Sequence, residues 1–291
     1  MKQLLILSGK GGTGKTTFAS AFIKLNNSKR YADCDVDTPN LHLLIKQIKG
    51  PEIENFYGLD KAEINVEICT SCDLCRKHCR FDAIFIDKDQ NYRVNPYLCE
   101  GCAVCEYVCP VKAISLVKSV DGEIKTYVDK DELFATAQLN IGSGMSGLLV
   151  TEVKKKILKD KEEIELAIID GSPGIGCPVI ASISGVTLVL IVAEPSMSGF
   201  NDLKRIVETA NIFQTPIAVA INKYDLNENI TKSIKQYCKL NKIPYLGQVP
   251  FDEKVNRLVN RGLTIVDQDL KAGLEVKKIY SKVMKLLKGL N

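Results

Sequence analysis

The sequence predicts an α/β protein: a doubly wound, mostly parallel sheet into which a small cysteine-rich α+β unit is inserted. Three observations carry this expectation. Short apolar runs alternate with amphipathic helical patterns, a glycine-rich turn joins the first run to the first helix, and residues 63–118 interrupt the alternation with cysteines where core aliphatics should stand. The main domain is therefore expected over 1–62 and 119–291, and the insert over 63–118.

Leu4–Leu7, Ala167–Asp170, Val186–Ala193, Ile217–Asn222 and Tyr245–Val249 are nearly continuous apolar runs, as strands buried on both faces require. Between and after them, Lys15–Leu25, Gly147–Leu158, Phe200–Phe213, Ile230–Leu240 and Leu270–Leu287 carry apolar residues three and four apart, the spacing of a helix with one buried stripe. Leu116–Val120 and Glu123–Val128 flank Asp121-Gly122, which reads as a two-residue hairpin returning the chain from the insert. In the last helix Leu270, Leu274, Ile279, Val283, Leu286 and Leu287 oppose many lysines. Docking on the core is expected there, and a membrane surface is the alternative, disfavoured because no aromatic anchor accompanies the lysines.

The 291 residues suffice for a sizeable core. Lys and Arg outnumber Asp and Glu, 39 to 35, but the charge is scattered, so a nucleic-acid partner is not expected. No apolar run approaches the ~20 residues of a membrane span, and nothing resembles a signal peptide. Eleven cysteines then point to a reducing, cytoplasmic compartment and not to disulfides.

Gly9-Lys10-Gly11-Gly12-Thr13-Gly14-Lys15-Thr16-Thr17 follows the first strand and opens the first helix, the context of a phosphate-binding loop. Backbone N–H groups from Gly11 to Thr17 would close around phosphate oxygens, Lys15 would reach the terminal phosphates, and Thr16 would hold Mg²⁺. A plain glycine turn is the rival reading. Asp33, Asp35 and Asp37 place three carboxylates in five residues, costly near phosphates unless Mg²⁺ and water intervene. An ordinary turn, with Asp37 capping a helix near Pro39, explains the same stretch. Asp170-Gly171-Ser172-Pro173-Gly174 and Glu194 to Gly199 both follow apolar strands, where ligand-facing loops lie. Asn222-Lys223-Tyr224-Asp225 fits the N-K-x-D pattern that reads guanine, which sets GTP against ATP.

Cys69-x2-Cys72-x2-Cys75-x3-Cys79 recurs thirty residues later as Cys99-x2-Cys102-x2-Cys105-x3-Cys109-Pro110, and Ala83-Ile84 recurs as Ala113-Ile114. Thiolates in two such quartets specify two [4Fe–4S] clusters, with the fourth cysteine of each run serving the other cluster. The expected sets are Cys69, Cys72, Cys75 with Cys109, and Cys79 with Cys99, Cys102, Cys105. Zinc is the rival, disfavoured by the third cysteine and the x3 spacing. Arg80 stands where the ferredoxin pattern places proline; Arg80 and Lys77 suit either a solvated surface or a charge beside a cluster. His78 is expected exposed, Cys34 in the core, and Cys238 on an ordinary helix face.

With Lys10 inside the phosphate loop, the chain resembles the MinD/ParA/Mrp group of P-loop ATPases, and with the cysteine runs it resembles members of that superfamily carrying an inserted ferredoxin domain. The resemblance implies ATP, ADP and Mg²⁺ as ligands, and a homodimer or paralogous heterodimer in which Lys10 reaches the partner's phosphates. It implies that Asp35 orients the attacking water, that Asp33 and Asp170 lie on the metal side, and that Gly174 senses the terminal phosphate. Asn222, with Asp225 nearby, would contact the base, and the loop at Pro250 would form a second wall. The implied activity is an ATP-hydrolysing switch that gates electron transfer through two clusters toward a metalloprotein or metallocofactor-assembly partner. An iron–sulfur carrier of Mrp type and a MinD-like positioning ATPase are the alternatives. Cys177 stands seven residues after Asp170, where the nitrogenase iron protein places a ligand of its bridging cluster, but Asn140 to Gly147 offers no second cysteine; a small buried thiol beside Pro178 is expected.

Overall fold

The structure is a computed structural model describing residues 1–45, 49–158 and 164–290. β1 (Lys2–Leu7) leads through the glycine loop into α1 (Lys15–Asn26), and β2 (Arg30–Asp33) follows. β3 (Glu52–Tyr57) precedes the insert, which holds β4 (Lys61–Ile64), α2 (Leu74–His78), β5 (Ile84–Ile86), β6 (Tyr92–Val94), α3 (Val104–Tyr107) and β7 (Ile114–Val117). The chain returns through β8 (Val120–Asp129), β9 (Glu132–Leu139), α4 (Ser146–Ile157), β10 (Leu166–Asp170), α5 (Cys177–Ile183) and β11 (Leu188–Ala193). It finishes with α6 (Met197–Ile212), β12 (Ile217–Asn222), α7 (Glu228–Leu240), β13 (Tyr245–Val249), α8 (Glu253–Val259) and α9 (Lys271–Gly289).

Among the described residues nine strands form one sheet in the order β13-β12-β11-β1-β10-β2-β9-β8-β3. The first seven of these run parallel, and β8 lies antiparallel to both β9 and β3 at one edge. Alternate residues of the central strands face two apolar layers: Leu5, Leu7 and Ile169 pack with α4, α5 and α6 residues, whereas Leu4, Ile6 and Ile168 pack with α1 and α9. That is the doubly wound arrangement, and it collects the carboxyl ends of β1, β2, β10, β11 and β12 along one edge, where ligands bind in such sheets.

The hairpin expected at Asp121-Gly122 is not formed. Both residues lie inside β8, and the turn to β9 falls at Lys130, in left-handed backbone at φ 54°. Gly122 answers to close approach instead: a Cβ there would meet the Gln138 carbonyl oxygen at 2.6 Å on the neighbouring strand. The cap assigned to Asp37 also moves. Asp33 Oδ2 accepts the N–H groups of Asn40 and Leu41, each at 2.9 Å, and so starts the 3-10 turn at Leu41–Leu43.

α9 docks on α1 and β13, burying Val276, Ile279, Val283 and Leu287. Tyr280 meets Phe22 edge-on at 5.2 Å and donates to Asn26 Oδ1 at 3.0 Å, while Leu274 stays exposed. Among the described residues no helix is long and apolar enough to cross a membrane.

Candidate functional site

A cleft of about 770 Å³ opens at the carboxyl end of β1. Gly11 to Thr17, Asp35, Asn222 and Pro250 line it, together with Lys10, Lys223 and Phe251. The loop can fold there because Gly14 takes φ +95° immediately before α1, a conformation that favours glycine. β12 braces it from the side: Asn222 Nδ2 donates to the Thr13 carbonyl at 2.7 Å, and Lys223 Nζ donates to that of Gly12 at 2.8 Å. Asp225 does not line the cleft. Its Oδ1 accepts the Phe251 N–H at 2.7 Å and so fixes the Pro250 wall.

At the inner end Lys15 is buried between carboxylates, 2.8 Å from Asp170 Oδ1 and 3.6 Å from Asp35 Oδ2. Burial works against its ammonium, but Asp170, Asp33 and Asp35 outweigh that cost and hold its pKa above the ordinary lysine value. Asp33 is fully buried and absent from the cleft wall. Burial, and then the Asp170 charge, push its carboxyl up to about 7 against the pull of Lys15. Burial likewise raises Asp35. Asp33 Oδ1 accepts the Asp35 N–H at 3.0 Å, so both of its oxygens serve backbone donors.

Two buried oxygens at this site have no protein partner: Asp170 Oδ2 and Thr13 Oγ1. Orphaned polar atoms are costly unless a ligand, ion or water completes them. A hydrated Mg²⁺ fits the Asp170 oxygen; Thr16 lines the cleft, whereas Asp170 lies behind its wall, paired with Lys15.

The loops after β2 and β10 are tied together. Cys34 N–H donates to the Asp170 carbonyl at 2.7 Å, and Ser172 Oγ donates back to the Cys34 carbonyl at 2.5 Å. Gly174, at φ +94°, donates its N–H to the Ser8 carbonyl at 3.1 Å and lies outside the cleft wall. Lys10 folds back within its own chain, to Ser196 Oγ at 3.2 Å and Glu194 Oε2 at 3.7 Å. The loop after β11 is thus a holster for Lys10, a role its sequence does not announce.

In the insert the thirty-residue echo extends to the backbone. Left-handed φ values at Ser71, Asp73 and Asp82 recur at Gly101, Ala103 and Lys112, and Asn65 and Asn95 make the same turn contacts to Ala113 and Ala83 carbonyls. Two small cavities result. Cys69, Cys72, Cys75 and Cys109 line one; Cys79, Cys99, Cys102 and Cys105 line the other. Each cavity therefore takes three cysteines from one run and the fourth from the other, with Ile64, Ile114, Ala62 and Ile84 as apolar walls. Burial raises the Cys75 and Cys105 thiols, Cys105 to about 11, so a soft metal must displace protons to enter. Among the described residues no three His, Cys, Asp or Glu side chains close on a point suited to a single metal ion.

His78 is exposed and hydrogen-bonds the Leu74 carbonyl through Nδ1 at 2.8 Å, while Cys34 and Cys238 are buried. Cys177 is exposed, contrary to expectation, because it opens α5 at the surface end of the loop after β10. It faces the start of α4: a Cβ at Gly147 would lie 3.2 Å from Cys177 Cβ.

A parallel sheet with a glycine loop, a buried loop lysine and acidic strand ends defines a P-loop nucleotide-binding protein. Residues 4–265 match the CobQ/CobB/MinD/ParA nucleotide binding domain, and the chain belongs to that family. The uncharacterized protein MJ0578 of Methanocaldococcus jannaschii is 34% identical over 290 residues, 98% of this chain and 97% of that one. The iron–sulfur cluster carrier protein of the same organism is 25% identical over 146 residues, 44% of this chain and 48% of its own. The septum site-determining protein MinD of Pyrococcus horikoshii, solved with Mg-ADP, superposes with a TM-score of 0.56 at 17% identity, covering 98% of this chain and 96% of its own. That last likeness is one of fold.

Proposed function

We propose that the protein is an ATP-hydrolysing dimeric switch whose nucleotide state gates electron transfer through two [4Fe–4S] clusters in the segment 63–118. Lys15 and Lys10 neutralise phosphate charge, Asp170 and Thr16 hold Mg²⁺, Asp33 braces the loop that carries Asp35, and Asp35 orients water. An arriving phosphate competes with Asp170 for Lys15 and with Ser8 for the Gly174 N–H, so binding must rearrange the loop after β10. An adenine nucleotide is favoured over a guanine one because Asp225 is occupied by the Phe251 N–H.

The two cysteine sets would each hold one cluster, which supplies a one-electron carrier when bound. One observation carries the link between the halves. Cys177, at the end of the loop after β10, packs on Gly147; the same glycine-rich segment packs on the second cysteine run, where a Cβ at Gly142 would lie 3.1 Å from the Tyr97 ring and one at Gly144 3.4 Å from Glu100 Oε2. Movement of the phosphate-side loop thus has a packed route toward the second cysteine set. The acceptor is proposed to be a metalloprotein or a metallocofactor-assembly protein.

The carrier reading draws on the partial match to the iron–sulfur cluster carrier protein. It is less favoured because each cysteine set mixes both runs, which ties the cargo to an intact fold. The deciding experiment reconstitutes the protein anaerobically, reduces it, and follows oxidation by candidate acceptors with ATP, ADP and a non-hydrolysable analogue. About eight irons per chain are expected. Electron transfer at one rate in all three nucleotide states would overturn the gating, and loss of iron to an apo-acceptor would favour the carrier.

A further inference from the structure

Lys61 opens β4, the first strand of the insert, and is only 6% exposed. Its Nζ donates to the Cys99 carbonyl oxygen at 2.5 Å, and no carboxylate lies within salt-bridge distance among the described residues. A buried ammonium with a single carbonyl partner is an unusual expense for a small domain, because desolvation is not repaid by a counter-charge. Its neighbour Ala62 lines the cavity of Cys79, Cys99, Cys102 and Cys105.

The repeat makes the asymmetry plain. Thirty residues on, the counterpart of Lys61 is the neutral Asn91, and among the described residues the other buried lysines, Lys15 and Lys154, lie outside the insert. Near that set the charges are surface groups: Asp73 holds Arg76 and Lys77, whose side chains are 47% and 66% exposed. Solvent and salt screen exposed charges, whereas a buried charge acts through a low effective dielectric.

We infer that Lys61 sets the reduction potential of the cluster held by Cys79, Cys99, Cys102 and Cys105, its buried charge favouring the reduced and more negative state. The inference rests on the proposal that the two cysteine sets hold clusters. The step concerned is addition of one electron, from a low-potential one-electron reductant, to that cluster, with no bond broken. Lys61 acts through the field at the cluster and is a positioning residue. The backbone donor Ala113 N–H, 3.2 Å from Cys109 Sγ on the other side, is untouched by any change at Lys61.

The test is an anaerobic potentiometric titration with dithionite and mediators, followed by electron paramagnetic resonance, on reconstituted wild type, Lys61→Met, Lys61→Gln and Lys61→Arg. With full iron content, Met and Gln should move one of the two reduction steps to more negative potential and leave the other in place. Arg should keep both near wild type. Both steps unmoved in Met and Gln, or both moved equally, overturns the inference. So does loss of half the iron in both neutral variants, which would make Lys61 a structural residue. Wild type that takes up no iron would instead remove the cluster reading itself, and iron analysis reports this separately from the potentials.

Discussion

In and behind the nucleotide cleft the strong charges already have protein partners: Lys15 rests on Asp170 and Asp35, Asp33 on three backbone N–H groups, and Lys10 on Ser196 and Glu194. The insert is built otherwise. Its packed apolar cluster is Ala62, Ile64, Ala83, Ile84, Tyr92, Cys99 and Ile114, while Phe81, Phe85 and Tyr107 are exposed. The main domain folds on two apolar layers. A unit of roughly 60 residues with so small a core is marginal by itself, and the clusters proposed for its cysteines would supply the missing stability.

The largest expected effect breaks that comparison at its weak side. On the proposal that the cysteine sets hold clusters, anaerobic removal of their iron with a chelator should unfold the insert and leave the sheet intact. Hydrogen exchange reads this directly: amides in β5, β6 and β7 should lose protection while those of β1, β10 and β11 keep theirs. Unchanged protection of β5 and β6 in iron-free protein would show that the insert stands on its apolar core alone.

On the other side, Lys15→Met leaves Asp170 and Asp35 facing each other without a cation. Hydrolysis should fall by at least about 100-fold. Denaturant unfolding should show a loss of about 3–5 kcal/mol, the usual cost of removing one partner of a buried pair. Lys223→Met, which removes one hydrogen bond from an exposed side chain, should cost about 1 kcal/mol. Equal losses for the two variants would mean that the Lys15 network is no more than a surface-type pairing.

The contrast between the halves was legible in part. Strands β1, β10, β11, β12 and β13 show in sequence because burial on both faces demands continuous apolar runs. β2 does not, since Arg30 to Asp33 is four residues bounded by charges, and β3 is mostly exposed at the sheet edge. The phosphate loop and the cysteine runs are local patterns whose chemistry depends on spacing. Partners that only tertiary closure creates, such as Asn222 with Thr13, Asp225 with Phe251 and Lys61 with Cys99, leave no spacing signal. The exposed position of Cys177 has the same origin: a Cys-Pro at a helix start reads alike whether the helix end is covered or open.

Two glycines of the loop sharpen what preorganisation means in the cleft. A Cβ at Gly14 would meet Asn222 Nδ2 at 2.4 Å in backbone at φ +95°, so Gly14→Ala should cost about 1–3 kcal/mol and weaken nucleotide binding. At Gly11 a Cβ meets nothing within 4 Å, and Gly11→Ala should leave the melting temperature near wild type. Its effect should appear only in nucleotide affinity. A comparable fall in stability for both would place the loop's strain elsewhere.

The last test separates the halves by pH. Burial and the Asp170 charge push the Asp33 carboxyl up to about 7 from its ordinary 3.8, so between those values the folded chain binds more protons than the unfolded one. Stability of the nucleotide-free main domain should therefore be greatest near pH 4 on this account and decline as pH rises through 7; Asp35, also raised, adds in the same direction. In the insert the sign reverses. Hydrogen bonding from Arg76 holds Asp73 below the ordinary carboxylate value, and the Asn91 N–H does the same for Asp87, so their contribution is present above about pH 4 and lost as pH falls through their folded values. Hydrogen exchange from pH 5 to 8, corrected for intrinsic rates, should show main-domain protection declining with pH and insert protection flat. Asp33→Asn should reduce the main-domain slope to the part Asp35 contributes, and a slope left at the wild-type value would assign the protons to another group.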